Sequence, residues 1–170
     1  WLGGYTTTQQ GTTRRQPPLW TPQLAGLGEG LELGFRDLIE LRFVKAFLDA
    51  GLSLRTVRSC LDLAREIAAD GHPFSTRRFR TDGRTIFLAS LQAGDQSPAA
   101  LDLRSRQFVF EKLIERSFRD LDLEGEVVVR WRPLRGKESI VLDPTRSFGQ
   151  PIAAESGVPT RVLADALEAE

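Results

Sequence analysis

The stretch GFRDLIELRFVKAFLDAGLSLRTVRSCLDLAREIAA, residues 34–69, constrains the fold more than any other part of the chain. Phe35, Ile39, Phe43 and Phe47 recur at every fourth position, and Leu38, Leu41, Val44 and Leu48 widen the stripe. That spacing lays an apolar band along one face of a helix. Gly51 is a natural C-terminal stop, and Ser53 can cap a second helix. The second stripe holds Val57, Leu61, Ala64 and Ala68, with Cys60 and Ile67 beside it and Arg55, Arg58 and Arg65 pointing elsewhere. The spacing predicts helices over 35–50 and 54–69, joined by a tight turn, each covering the other's apolar face. The DGHP at Asp70–Pro73 ends the pair.

Around this pair the pattern is mixed. Residues 1–30 are rich in Thr, Gln, Gly and Pro and carry no helical stripe. They read as a loop between two short strands, Leu19–Trp20 and Leu31–Leu33. Arg14 and Arg15 stand in that loop with no acid nearby, either as an exposed mobile segment or as a wing that touches phosphate. Asp82-Gly83, flanked by β-formers, predicts a hairpin turn. Arg77, Arg78, Arg80 and Arg84 would then crowd its strands as a solvated face or as an anion-binding or DNA-facing patch. Leu101–Leu103 reads as a short strand. Residues 105–121 read as a third helix with Phe110, Leu113, Ile114, Ser117, Phe118 and Leu121 on one face. Glu126–Arg132 and Ile140–Leu142 read as strands. DPTRSFGQP is turn chemistry, and Thr160 can cap a last helix bearing Val162, Leu163, Ala166 and Leu167. The expected class is α+β, mainly helical.

Composition narrows function more than fold. The apolar runs are too short for a membrane span, so a soluble, cytoplasmic protein is expected. A single cysteine, Cys60, excludes an intrachain disulfide and suits a reducing compartment. Zero net charge argues against nonspecific coating of nucleic acid. Residues 1–90 hold twelve basic against nine acidic side chains, and residues 91–170 eleven against fourteen, so the halves differ in sign. That hints at modules with different partners. The chain starts at Trp1, has no Met and stops within a helical pattern, which reads as trimming at both ends. No catalytic or metal constellation is found. The single histidine, His72, has no Cys or carboxylate cluster with ligand spacing, Cys60 lies among stripe residues, and no phosphate-loop, dinucleotide or nucleophile-elbow motif occurs. The expectation is a non-enzyme with no cofactor.

Two stretches resemble known families. Residues 34–64 are similar to the helix pair that follows the wing in MerR-like regulators. The matching positions are Asp37-Leu38, the Gly51-Leu52-Ser53-Leu54 turn, and Val57-Arg58 with Leu61. The Arg and Tyr usual before that pair are replaced by Leu31, Glu32 and Leu33. Residues 140–166 look like the start of a small helical domain common in VapB-type antitoxins. Asp143-Pro144, Arg146, Phe148-Gly149, Pro151 and Gly157–Thr160 carry that likeness. Together the two resemblances imply a winged-helix remnant (1–75) whose reading helix would precede Trp1, a mixed linking region (76–138), and the start of a C-terminal antitoxin-associated domain (139–170).

The implied function is that of a type II antitoxin. It would neutralise a PIN-domain ribonuclease toxin and repress its own operon by binding operator DNA as a homodimer. Arg14, Arg15, Arg55 and Arg58 would contact DNA phosphates; Arg146, Phe148 and Arg161 would contact the toxin, an Arg being able to pair with active-site carboxylates in place of a metal. Two alternatives stay open. One is a MerR-like transcriptional regulator with a C-terminal sensor or dimerisation domain. The other is an interaction scaffold that does not bind DNA.

Overall fold

The structure, a computed structural model, describes residues 1–9, 12–24, 30–93, 100–134 and 136–169. Its class is α+β and mainly helical, with five α-helices and a four-stranded antiparallel sheet. The helix pair forms as its sequence dictates. Helix α1 spans Phe35–Asp49 and α2 spans Leu54–Ala68. Ser53 caps α2, its Oγ accepting the Thr56 N–H at 3.1 Å. Ile39, Phe43 and Phe47 on α1 and Val57, Cys60, Leu61 and Ala64 on α2 are fully buried.

The N-terminal segment differs from expectation. The Thr-rich stretch is itself the hairpin, with β1 Tyr5–Gln9 antiparallel to β2 Thr12–Gln16 and Thr7 opposite Arg14. The β-branched threonines suit a pleated ribbon, and the hydroxyls of Thr8 and Thr13 meet across it at 3.3 Å. Pro17 and Pro18 lack the N–H groups that would continue the ladder. Leu19–Trp20 and Leu31–Leu33 are not strands; Leu19 and Trp20 are buried as core anchors.

The central hairpin expected around Asp82-Gly83 is instead a helix, α3, Arg77–Ala93. Thr76 caps it, its Oγ1 accepting the Phe79 N–H at 3.1 Å. Phe79, Gly83, Ile86, Phe87 and Ser90 follow the helical repeat and are all buried. The Asp-Gly pair therefore sits mid-helix, where local turn preference yields to packing. A Cβ on Gly83 would stand 2.7 Å from Ile114 Cδ1, so the glycine is what lets the next helix approach. That helix, α4, spans Ala100–Phe118. It absorbs the Leu101–Leu103 segment read as a strand and ends before Leu121.

Phenylalanine binds the helices into one core. Phe43, Phe47, Phe74, Phe79, Phe87, Phe110 and Phe118, seven of the chain's ten, are buried together. Phe87 of α3 stacks on Phe110 of α4 at 3.8 Å, and Phe43 of α1 meets Phe118 of α4 at 4.9 Å. Such contacts add roughly 0.5–1.5 kcal/mol each beyond burial.

The chain then enters the sheet, β3 Leu121–Glu124, β4 Val127–Trp131, β5 Ile140–Leu142 and β6 Pro151–Ala153, paired in that order and all antiparallel. Leu121, expected on a helix, pairs with Trp131. Helix α5, Thr160–Glu168, follows β6. Thr160 opens this helix rather than capping it: Pro159 holds the cap position and its carbonyl accepts the Val162 N–H at 3.0 Å. No helix among the described residues is long and apolar enough to cross a membrane.

Replacing Gly83 by Leu tests the helical crossing. Its side chain must displace Ile114, and the expected cost is about 1–3 kcal/mol in urea unfolding. A hairpin turn on the surface would lose far less.

Candidate functional site

Asp37, at the third position of α1, is wholly buried and accepts four hydrogen-bonding groups. Trp20 Nε1 donates at 2.7 Å and His72 Nε2 lies at 2.8 Å, both on Oδ1. The backbone N–H groups of Gln23 and Gly34 donate to Oδ2, each at 2.8 Å. Burial raises its pKa, but these bonds from Gln23, His72, Gly34 and Trp20 outweigh that and hold it below the ordinary value. Its contribution is therefore present above about pH 4 and is lost as pH falls through the folded-state pKa. His72 is thereby bound to Asp37, and its ring stands at 69° to that of Trp20, 6.5 Å away. Among the described residues no group of three or more His, Cys, Asp or Glu could hold a metal ion. Burial pushes the Cys60 thiol up to about 12, so Cys60 is a packing residue rather than a nucleophile.

One turn further along α1, Glu40 is also fully buried. Its Oε1 accepts the Ser75 N–H at 2.9 Å, while Oε2 has no hydrogen-bond partner among the described residues. Burial pushes its pKa up to about 8, against the opposing pull of Ser75, Arg36 and Arg65. Asp37 was singled out in the sequence only as a position of the MerR-like resemblance, and Glu40 not at all; the burial and bonding of both come from the fold.

The four arginines expected to face DNA divide into two groups. Arg14 and Arg15 lie on β2, and the Arg15 side chain is exposed. Arg55, in the first turn of α2, is exposed as well. Arg58 is engaged within the fold: it donates to the carbonyls of Pro17 at 2.6 Å and Pro18 at 3.2 Å. Arg65, two turns along α2, donates to the Leu19 carbonyl. Proline carbonyls at the hairpin base thus find donors on α2, which fixes the hairpin to the helix pair. The arginines of α3 are largely engaged. Arg78 pairs with Asp82 at 2.7 Å, Arg84 with Glu111 at 3.1 Å, Arg77 donates to the Gly125 carbonyl, and Arg80 lies over the Phe118 ring.

Of the three residues expected to meet a partner, Arg146 and Phe148 lie in the turn between β5 and β6, and Arg161 lies on α5. Asp143 is buried; its Oδ1 accepts the Thr145 N–H and hydroxyl at 2.9 and 2.6 Å, and its Oδ2 accepts Arg130 Nε at 2.9 Å. This fixes the start of the turn. Ser147, Phe148 and Gly149 then all take left-handed backbone angles, φ +47°, +54° and +74°. For Phe148 that conformation is costly, about 1–2 kcal/mol, and it leaves the ring wholly in solvent. Arg146 lays its guanidinium against Gly157, leaving no room for a Cβ there. Arg161 is exposed on α5, 3.9 Å from Asp165. The apolar stripe of α5 is uncovered too: Val162, Leu163 and Leu167 are 54%, 43% and 75% exposed.

The chain matches no protein-family model. It is 28% identical over 172 aligned residues to a Mycobacterium tuberculosis protein named "Putative antitoxin VapB45", covering 93% of this chain and 70% of that relative. Its fold is similar to the X-ray crystal structure of Rv2018 from Mycobacterium tuberculosis, with a TM-score of 0.69 and 26% identity over 89% of this chain and 75% of that one.

Glu40 makes the fold pH-sensitive. The folded state holds its proton more tightly than the unfolded chain, so stability falls as pH rises from about 4.5 towards 8. Glu40→Gln removes the titration. Relative to the unmodified chain, the variant gains stability with rising pH by up to about 1.4 kcal/mol per unit across that window. Urea unfolding at pH 5, 6, 7 and 8 measures this; parallel pH profiles would rule the assignment out.

Proposed function

We propose that this protein is an antitoxin that captures a toxin protein through the turn at residues 143–149. The observation that carries the reading is Phe148, wholly exposed on a left-handed turn that Asp143 and Arg146 hold in place. A fully solvated aromatic ring in a costly conformation gains nothing for the isolated chain, whereas such a ring is a typical interface anchor. The similarity to the mycobacterial protein named as an antitoxin supports the same reading. Arg146, two residues before the ring, and Arg161, exposed on α5, would add positive charge to the captured surface. That suits the acidic, metal-binding centre of a PIN-domain ribonuclease, where a guanidinium can pair with carboxylates.

The N-terminal half extends the proposal to autoregulation. A hairpin ahead of a helix pair would suit the wing and following helices of a MerR-like regulator. Arg14, Arg15 and Arg55 would reach operator phosphates, and Arg58 would set the wing's position from within. A two-fold operator would be met by a homodimer. Phosphate contacts position a protein on DNA without reading its sequence, so base recognition would come from elsewhere in the regulator.

Two experiments test the reading. The protein is co-expressed with the product of the adjacent reading frame, and recovery of the complex and suppression of its ribonuclease activity are measured. Phe148→Ala is expected to leave the melting temperature unchanged and to weaken capture by roughly 2 kcal/mol or more. Unchanged capture would remove Phe148 from the interface. For DNA, titration of the operator against salt is expected to give a slope of log K on log salt that is shallower by about one for Arg15→Ala and for Arg55→Ala. Slopes equal to that of the unmodified protein would confine these arginines to a structural role.

A further inference from the structure

Glu40 is a buried carboxyl whose bonding the packing leaves incomplete. Its Oε1 takes the Ser75 N–H, and its Oε2 has no hydrogen-bond partner among the described residues. Charged groups from three elements connect to this point. Helix α1 brings Arg36 and Asp37, α2 brings Arg65 with Asp62, and the segment between α2 and α3 brings Asp70 and His72. The cations whose charge acts on Glu40 are Arg36 and Arg65.

The two arginines are held unequally. Arg36 donates to Ser75 Oγ at 2.9 Å and to the His72 carbonyl at 2.7 Å, and pairs with Asp70 at 2.9 Å. Arg65 donates to the Leu19 carbonyl and, at a long 3.4 Å, to the Gly71 carbonyl. Its one carboxylate partner, Asp62 at 3.1 Å, is 56% exposed, and water screens such a pair. Arg65 is therefore the cation with the least to lose by turning inward. It is also one of the two α2 arginines that tie the base of the hairpin to the helix pair.

We propose that Glu40 is a latch on the N-terminal hairpin: when its carboxyl ionises, Arg65 turns from the Leu19 carbonyl to the open Oε2, and the base of the hairpin is released on that side. An ionised carboxylate in a dry interior is costly until a cation meets it, so the guanidinium gains more there than on a neutral carbonyl. The proton passes to solvent. Burial places this ionisation near pH 8, so the tie to Leu19 is made below that pH and given up above it. Arg58 keeps its bonds to the carbonyls of Pro17 and Pro18, so the hairpin pivots there rather than detaching. The device rests on the fold alone and needs neither toxin nor DNA.

The test is an NMR titration of the 170-residue chain from about pH 6 to about pH 10, following Glu40 Cδ and the Leu19 carbonyl carbon. The expected result is that both shift together with one midpoint near pH 8. In Glu40→Gln the Leu19 signal should stay flat. In Arg65→Gln it should also stay flat, while Glu40 still titrates with a midpoint raised by roughly one pH unit, because a cation that favours the charged form is gone. A spin label gives the second arm. Cys60 is buried, so a label on Thr13→Cys reports the exposed second strand of the hairpin, and its mobility should rise across the same midpoint. A Leu19 signal that ignores Glu40, a Leu19 response that persists in Glu40→Gln, or a Glu40 midpoint that Arg65→Gln leaves in place would each overturn the proposal. Far-UV circular dichroism checks that the variants fold; should Glu40→Gln fail to do so, the midpoint in Arg65→Gln decides by itself.

Discussion

The segment that leads from Trp20 into the helices is held by one carboxylate. Asp37 is buried, and it is satisfied by groups from Trp20, Gln23, Gly34 and His72. A buried carboxylate is expensive unless each oxygen is bonded, and here both are bonded twice. The same four bonds fix the path of the chain after the hairpin, the start of α1, and the segment that leaves α2. Arg36 extends the network with bonds to the His72 carbonyl at 2.7 Å and to Asp70 at 2.9 Å. The segment after the hairpin, the helix pair and the turn into α3 are therefore one polar unit laid over one aromatic core.

That unit and the sheet differ in how they are stabilised. The helices share seven phenylalanines and depend on shape. The far end of the sheet depends on charge: Arg130 bridges Glu124 and Asp143, and Arg132 pairs with Asp122. Val141 and Ile152 give it a small apolar contact of its own. Such a region can hold a loop in a costly backbone conformation because its polar anchors are short and local, as the Asp143–Thr145 bonds are.

The helix pair was legible because stripe, stop and cap agree over residues 35–69, and every local cue there points to the same structure. Helix α3 was not legible. Asp82-Gly83 is a strong turn signal by itself, and what overrides it is the approach of Ile114, a residue thirty-one positions away. The N-terminal hairpin was misplaced for a related reason: buried Leu19 and Trp20 have the composition of strand residues but serve as anchors, while the polar threonines form the ladder. The turn at 143–149 was legible as a turn, and its Arg, Phe and Gly were singled out from their resemblance to a family pattern. That Phe148 would be fully solvated could not be read, because exposure depends on what the rest of the fold leaves uncovered. The Asp37 network was invisible for the opposite reason, its partners being scattered from residue 20 to residue 72.

The bonds from Arg58 and Arg65 to the carbonyls of Pro17, Pro18 and Leu19 have a mechanical consequence. They make α2 the fulcrum of the hairpin. Each strand of five residues is about 17 Å long. A rotation of α2 by about 10° would therefore sweep the far ends of the two strands through about 3 Å, a displacement comparable to one residue step along a strand. Because two prolines sit at the junction, the arm is stiff where it is attached, and motion of the core reaches the far ends of its strands enlarged rather than absorbed.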